Sequence, residues 1–172
     1  MNLNQAFRKL EKLGLADVFS IGLFNKFDNC ERKYLDHIPH DLSGFIAILD
    51  ILQDLILSQL GSVIFVCVRT SSHSKIIDMK NEINDLSEIG LKLPDEIIYT
   101  QLYSDEDELY YCYSFFKWND LIKPLLWINI SNNFPNIKPA FDFDLFFVSM
   151  DVSKIINVYD DRGVDILKFT SK

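Results

Sequence analysis

Glycine is scarce in this chain, with 6 residues in 172, and none sits in a G-x-G-x-x-G, P-loop or G-x-S-x-G pattern. Those patterns supply the backbone cradle for a nucleotide phosphate or the turn that presents a serine nucleophile. Their absence argues against a nucleotide cofactor, and no cofactor is expected. Clustered cations are missing too. The formal net charge is −8, from 17 Lys and Arg against 25 Asp and Glu, and phosphate-backbone binding needs grouped Lys and Arg that displace counterions. A nucleic-acid partner is not expected.

Cysteines are few and odd in number: Cys30, Cys67 and Cys112. Small secreted domains carry even, denser sets. Two of these thiols fall inside apolar runs, Val63 to Val68 and Leu109 to Phe116, so buried reduced thiols in a cytoplasmic protein are expected. The stretch Met1 to Leu15 holds Arg8, Lys9, Glu11 and Lys12 and has no apolar region of signal-peptide length. No uninterrupted apolar run reaches about 18 residues. The longest candidate, Phe45 to Leu60, is broken by Asp50, Gln53 and Asp54, so no membrane span is expected.

What the chain does have is core-forming material: 48% hydrophobic residues, with 14 Phe and 7 Tyr. A chain of this size buries roughly 70% of its unfolded surface and needs no staples. Leu3, Phe7, Leu10 and Leu13 form one stripe of a helix over Asn2 to Gly14, and Val18 to Phe27 reads as a strand. Ser43 or Asp41 caps a long amphipathic helix with Phe45, Leu49, Leu52, Ile56 and Leu60 inward and Asp50, Asp54 and Ser58 outward. Gly61 ends that helix. Ser62 to Arg69, rich in β-branched residues, reads as a central strand buried on both faces. A further helix is read across Lys75 to Ile89. Glu96 to Tyr103 and Leu109 to Trp118 form a hairpin around the acidic turn Ser104 to Glu108, and Asn119 caps a helix running to about Ile130. Phe143 to Met150, Ile155 to Asp160 and Val164 to Phe169 complete the strands. The order predicts a single α+β domain over residues 1–172, with a mixed or mainly antiparallel sheet and helices packed on one side.

The last hairpin turns at Asp160-Asp161-Arg162-Gly163. Asp160 and Gly163 suit the first and last positions of a type I turn followed by a left-handed residue, which assigns Gly163 to a positive φ. With Asp160 paired to Val164, Tyr159 and Asp165 share a face with Leu167 and Phe169. Asp165 is then partly buried and needs a partner, for which Arg162 or a backbone amide is the nearest choice. Either the turn is a structural feature with a salt bridge, or Asp161, Arg162 and Asp165 belong to a binding surface.

The run Ile156-Asn157-Val158-Tyr159-Asp160-Asp161-Arg162-Gly163-Val164-Asp165-Ile166 resembles the C-terminal signature of a bacterial domain family of unknown function. In that family Tyr-Asp-Asp-Arg-Gly, a hydrophobic residue and Asp end the domain. The resemblance covers Leu121 to Leu167. It implies a small bacterial intracellular protein, with some similar proteins encoded beside polymorphic toxins as candidate immunity proteins, and it implies no catalytic residues.

Asp105-Glu106-Asp107-Glu108 puts four carboxylates at a hairpin tip, suited to solvent or to a basic protein partner. The run lacks the ligand alternation and central glycine of an EF-hand loop. Asp142 and Asp144 share a strand face, as an acid–base or metal pair does, but also fit the polar side of a strand whose Phe141, Phe143 and Leu145 face the core. His37 and His40, with Cys30, Asp36 and Asp41 nearby, match no strong zinc spacing, and no metal is expected. Cys67 and Cys112 sit mid-strand, where a thiolate is desolvated, and Cys30 has no evident base. The tyrosines around Tyr99 to Tyr113 are too many for the core alone, and tyrosine ringed by acids suits protein contacts.

These features lead to the expectation of a non-enzymatic protein-binding domain that meets a basic partner, such as a toxin domain, through Asp105, Glu106, Asp107, Glu108, Asp161, Arg162 and Asp165. The alternative is an enzyme or small-ligand protein that uses the acidic and Arg residues of the C-terminal hairpin. A scaffold or homo-oligomer subunit is the third reading.

Overall fold

A computed structural model describes residues 1–20, 22–35, 38–61, 64–75, 91, 94–117, 122–134, 136–138, 143–160 and 162–170. The helix read across Lys75 to Ile89 lies outside those residues except for Lys75 itself, and the cap at Asn119, Asp36, His37, Asp142 and Asp161 lie outside them too. Among the described residues there are five helices, α1 (Leu3–Leu13), α2 (Leu15–Val18), α3 (Leu23–Lys26), α4 (Leu42–Leu60) and α5 (Ile122–Ser131). The seven strands are β1 (Cys30–Tyr34), β2 (Phe65–Ser72), β3 (Ile97–Ser104), β4 (Leu109–Lys117), β5 (Asp144–Ser149), β6 (Lys154–Asp160) and β7 (Gly163–Lys168). They form one sheet in the order β1-β7-β6-β5-β2-β4-β3. Every pairing is antiparallel, so the expected α+β class holds, with an antiparallel rather than a mixed sheet.

The helices do not lie on one side. Successive residues of a strand point to opposite faces, and β2 sorts them cleanly: Val66 and Val68 pack with α4 and α5, while Phe65 and Cys67 pack with α1, α2 and α3. β5 does the same, with Leu145 and Phe147 on the first face and Phe146 and Val148 on the second. A strand that is apolar at every position must be covered twice.

α4 is capped by Asp41, whose side chain accepts the Gly44 N–H at 2.9 Å, and it ends at Gly61 with φ 73°. Its inward set, Phe45, Leu49, Leu52, Ile56 and Leu60, is fully buried as expected. By length and composition α4 is apolar enough to cross a membrane, but here that apolar face lies on the sheet. α1 carries a capping box formed by Asn2 and Gln5 and places Leu3, Phe7 and Leu10 against the second face.

Val18 to Phe27 is not a strand. Gly22, at φ 72°, breaks the run into the short helices α2 and α3, which drop Leu15, Val18, Phe19 and Leu23 onto the second face. The strand at that edge is instead β1, with the sequence Cys-Glu-Arg-Lys-Tyr. Such a strand gives no hydrophobic alternation to read, and charge on an edge strand deters further pairing.

Candidate functional site

The C-terminal hairpin pairs Asp160 with Gly163, with an irregularity between Val158 and Asp160. This corrects the three-residue loop with a left-handed glycine: the positive-φ glycines among the described residues are Gly14, Gly22 and Gly61. Gly163 is required for space. A Cβ there would collide with the Tyr159 hydroxyl and come within 2.6 Å of the Lys33 carbonyl oxygen of β1.

Asp165 does share a face with Leu167 and Phe169, but it is fully enclosed, at 0% exposure. Its partner is not Arg162. The register sets Arg32 of β1 directly opposite. Arg32 donates from Nε at 2.7 Å and from Nη2 at 2.9 Å, and the Phe24 N–H of α3 donates at 3.1 Å. The guanidinium stands 5.1 Å from the Phe24 ring centre and 4.9 Å from that of Tyr159. Hydrogen bonding to Asp165 raises the Arg32 pKa further above its already high value. The expected surface role of Asp165 is thus corrected to an internal one. Arg162 is exposed, and its carbonyl accepts the Leu35 N–H at 2.6 Å.

A second pair repeats this design on the same face. Arg69 of β2, 5% exposed, faces Asp144 of β5 and Tyr113 of β4. It donates to Asp144 from Nε at 2.7 Å and to the Phe19 carbonyl from Nη1 at 2.8 Å. Its guanidinium lies 4.8 Å from the Tyr111 ring centre. Asp144 is therefore an ion-pair partner. Together the two arginine–aspartate pairs clamp the α2–α3 segment, one through a carbonyl and the other through an amide. Sequence reasoning missed both arginines. The available signal was a charge at a strand position whose neighbours two residues away are buried, as with Cys67 and Arg69.

The acidic turn is where it was expected. Ser104 pairs with Leu109, and Asp105, Glu106, Asp107 and Glu108 are all exposed. Asp107 folds back and accepts hydrogen bonds from the Ser104 hydroxyl at 2.8 Å and the Tyr111 hydroxyl at 2.9 Å. Asp105, Glu106 and Glu108 point into water. Behind them Tyr103, 52% exposed, packs against Tyr110 with ring centres 4.8 Å apart.

Beside the tip of this hairpin a cleft of about 380 Å³ opens toward α2 and α3, with Ala16, Ser20 and Lys26 on one wall and Leu102, Tyr103, Glu106 and Asp107 on the other. Arg69, Tyr111 and Tyr113 line it as well. Burial, the largest cause, raises the pKa of Tyr111 and pushes that of Tyr113 up to about 12; for Tyr113 the neighbouring Arg69 cation offsets part of the rise. The Tyr113 hydroxyl is buried beside the Arg69 guanidinium, with no acceptor for its own proton. All three thiols are buried and none is in a disulfide, and desolvation raises Cys30 to about 11 and Cys67 further. Among the described residues no three His, Cys, Asp or Glu side chains converge as a metal-binding group.

The fold and these features define an α+β protein built on one antiparallel sheet with helices on both faces and an acidic hairpin at one edge. A family model described as a domain of unknown function, DUF3885, matches residues 50–171, and the chain belongs to that family. The match reaches well before Leu121, where the resemblance of the C-terminal signature begins. Neither a curated protein nor a solved structure matches the chain.

Proposed function

We propose that this is an intracellular, non-enzymatic binding domain whose contact surface is the tip of the β3–β4 hairpin. The observation that carries the reading is the arrangement at that tip: three exposed carboxylates, Asp105, Glu106 and Glu108, backed by the Tyr103 and Tyr110 rings in tilted contact. An aromatic anchor with a charged rim suits a protein partner. The net charge of −8 favours a basic one and steers its approach. Within this reading the protein acts as an immunity protein, covering the active site of a basic toxin domain. The C-terminal signature and its resemblance to a bacterial family with candidate immunity members support that form.

The test is co-expression with a toxin domain encoded beside the gene, scored by growth rescue and co-purification. The combined variant Asp105→Lys, Glu106→Lys and Glu108→Lys is expected to abolish both, while Asp107 is left in place because it holds the turn. Rescue that survives the triple reversal removes this tip from the interface. A neighbourhood without a toxin gene, or no co-purification with a toxin found there, counts against the immunity form.

A further inference from the structure

We propose that the outer edge of β3 takes up an extended segment of the protein partner as an added strand, one that is uncharged along its middle and basic at both ends. This names how the partner of the binding reading above is held, and it rests on that reading. β3 is the terminal strand of the sheet, and among the described residues its one ladder is with β4, through eight pairs without a bulge. Its sequence, Ile-Ile-Tyr-Thr-Gln-Leu-Tyr-Ser over Ile97–Ser104, holds no charge, proline or glycine. An edge of that kind is a template for another strand, and sheets that avoid pairing place charges, prolines or bulges there. The opposite edge is defended in that way: β1 has 5 residues, of which Glu31, Arg32 and Lys33 are charged. The two ends of one sheet are unlike, and β3 is the one its sequence leaves undefended.

Charge selects the occupant. Asp95 and Glu96 precede β3, Asp105 and Glu106 follow it, and all four are exposed. A second copy pairing antiparallel across the middle of β3 would set Glu96 against Asp105 and Asp95 against Glu106 at both ends, and like charges directly opposite destabilise a strand pair. The net charge of −8 on each copy adds to that repulsion. A segment with Lys or Arg at each end turns all of these contacts into attractions. Between the ends, main-chain hydrogen bonds supply the affinity, while apolar side chains such as Ile98 and Leu102, neither of them buried, offer contact to alternate residues of the added strand. The basic ends also fix its register, because a slip moves them away from the carboxylates.

The probe is a fluorescently labelled peptide of alternating Thr and Val, as long as β3, with Lys-Lys at each end, titrated with the full chain and followed by anisotropy. Two controls accompany it: the same peptide with Glu-Glu ends, and a Lys-ended peptide with prolines in its middle. The Lys-ended strand is expected to bind, more weakly as salt rises, and the controls are not. Hydrogen exchange should slow at about half of the β3 amides, those that point outward in an antiparallel ladder, and not in β1. Reversing the flanking charges with Asp95→Lys, Glu96→Lys, Asp105→Lys and Glu106→Lys together is expected to weaken the Lys-ended peptide about tenfold and to make the Glu-ended one the tighter binder. An unfolded variant cannot show that gain. If the Lys-ended peptide does not bind, or either control binds as well, β3 is not such a site. Protection confined to residues 104–110 overturns the added strand and leaves the tip as a contact surface. A dimer on a sizing column with β3 amides protected makes a second copy the occupant instead. Growth rescue by the tip is scored without the peptide, so the two readings fail separately.

Discussion

In the β6–β7 hairpin the carboxylate of Asp165 is fully buried and holds three hydrogen bonds, whereas in the β3–β4 hairpin Asp105, Glu106 and Glu108 stand in water with a tyrosine pair behind them. Both stretches look alike as strings of acidic residues between apolar strands. Their places in the sheet separate them. β6 and β7 lie between β5 and β1 and are roofed by α3, while β3 is the terminal strand on the other side. A carboxylate covered from two directions must find a fixed counterion, and one beyond the end of an edge hairpin has no such need.

The comparison breaks most sharply at Asp165. Asp165→Ala leaves Arg32 as an uncompensated, largely buried charge, and chemical denaturation is expected to show a loss of about 3–5 kcal/mol. Arg32→Ala should cost a similar amount, because Asp165 then keeps only the Phe24 amide. Gly163→Ala follows at about 1–3 kcal/mol, through overpacking against the Lys33 carbonyl and Tyr159. A cost near zero at that position would mean that β1 shifts freely past β7.

Alkaline pH acts on the other half of the sheet. Tyr113 ionises at about 12 in the folded protein and near its ordinary value of 10 once unfolded. Its contribution is complete below pH 10 and erodes as pH rises toward 12, because the unfolded chain gives up the proton first. Urea midpoints across that range should fall for the wild type and fall less for Tyr113→Phe. The smallest change in stability is expected at the hairpin tip, where Asp105→Lys, Glu106→Lys and Glu108→Lys should each stay within about 0.5 kcal/mol. A large loss there would make the tip as structural as its counterpart and weaken its role as a contact surface.

Where periodicity was strong, the fold was legible. α1, α4, the β3–β4 hairpin and the three C-terminal strands could all be read from alternation, caps and turn residues. The failures share one cause, the second face of the sheet. The apolar run through Phe65 to Val68 already required cover on both sides, but the elements that supply it are two helices of four residues each, too short for a periodic signal. β1 was hidden because its inward residue at the pairing position is Arg32, which has meaning only beside Asp165, more than a hundred residues away. The acidic tip was legible as a turn. The cleft beside it was not, because it is assembled from α2, α3 and three strands.

The clamp on α2 and α3 bears on where this molecule can be cut. The family match begins at residue 50, yet Arg32, the Phe19 carbonyl and the Phe24 amide all precede it and complete the hydrogen bonding of Asp165 and Arg69, which follow it. A fragment trimmed to the matched segment would keep β2 to β7 and the acidic tip. It would also strip the buried Asp165 of Arg32 and the Phe24 amide, take the Phe19 carbonyl from Arg69, and bare Phe65, Phe115 and Phe146. The recognisable stretch and the cooperative unit therefore have different boundaries, and expression limits chosen from similarity alone would remove the roof that α1 to α3 form over half of this sheet.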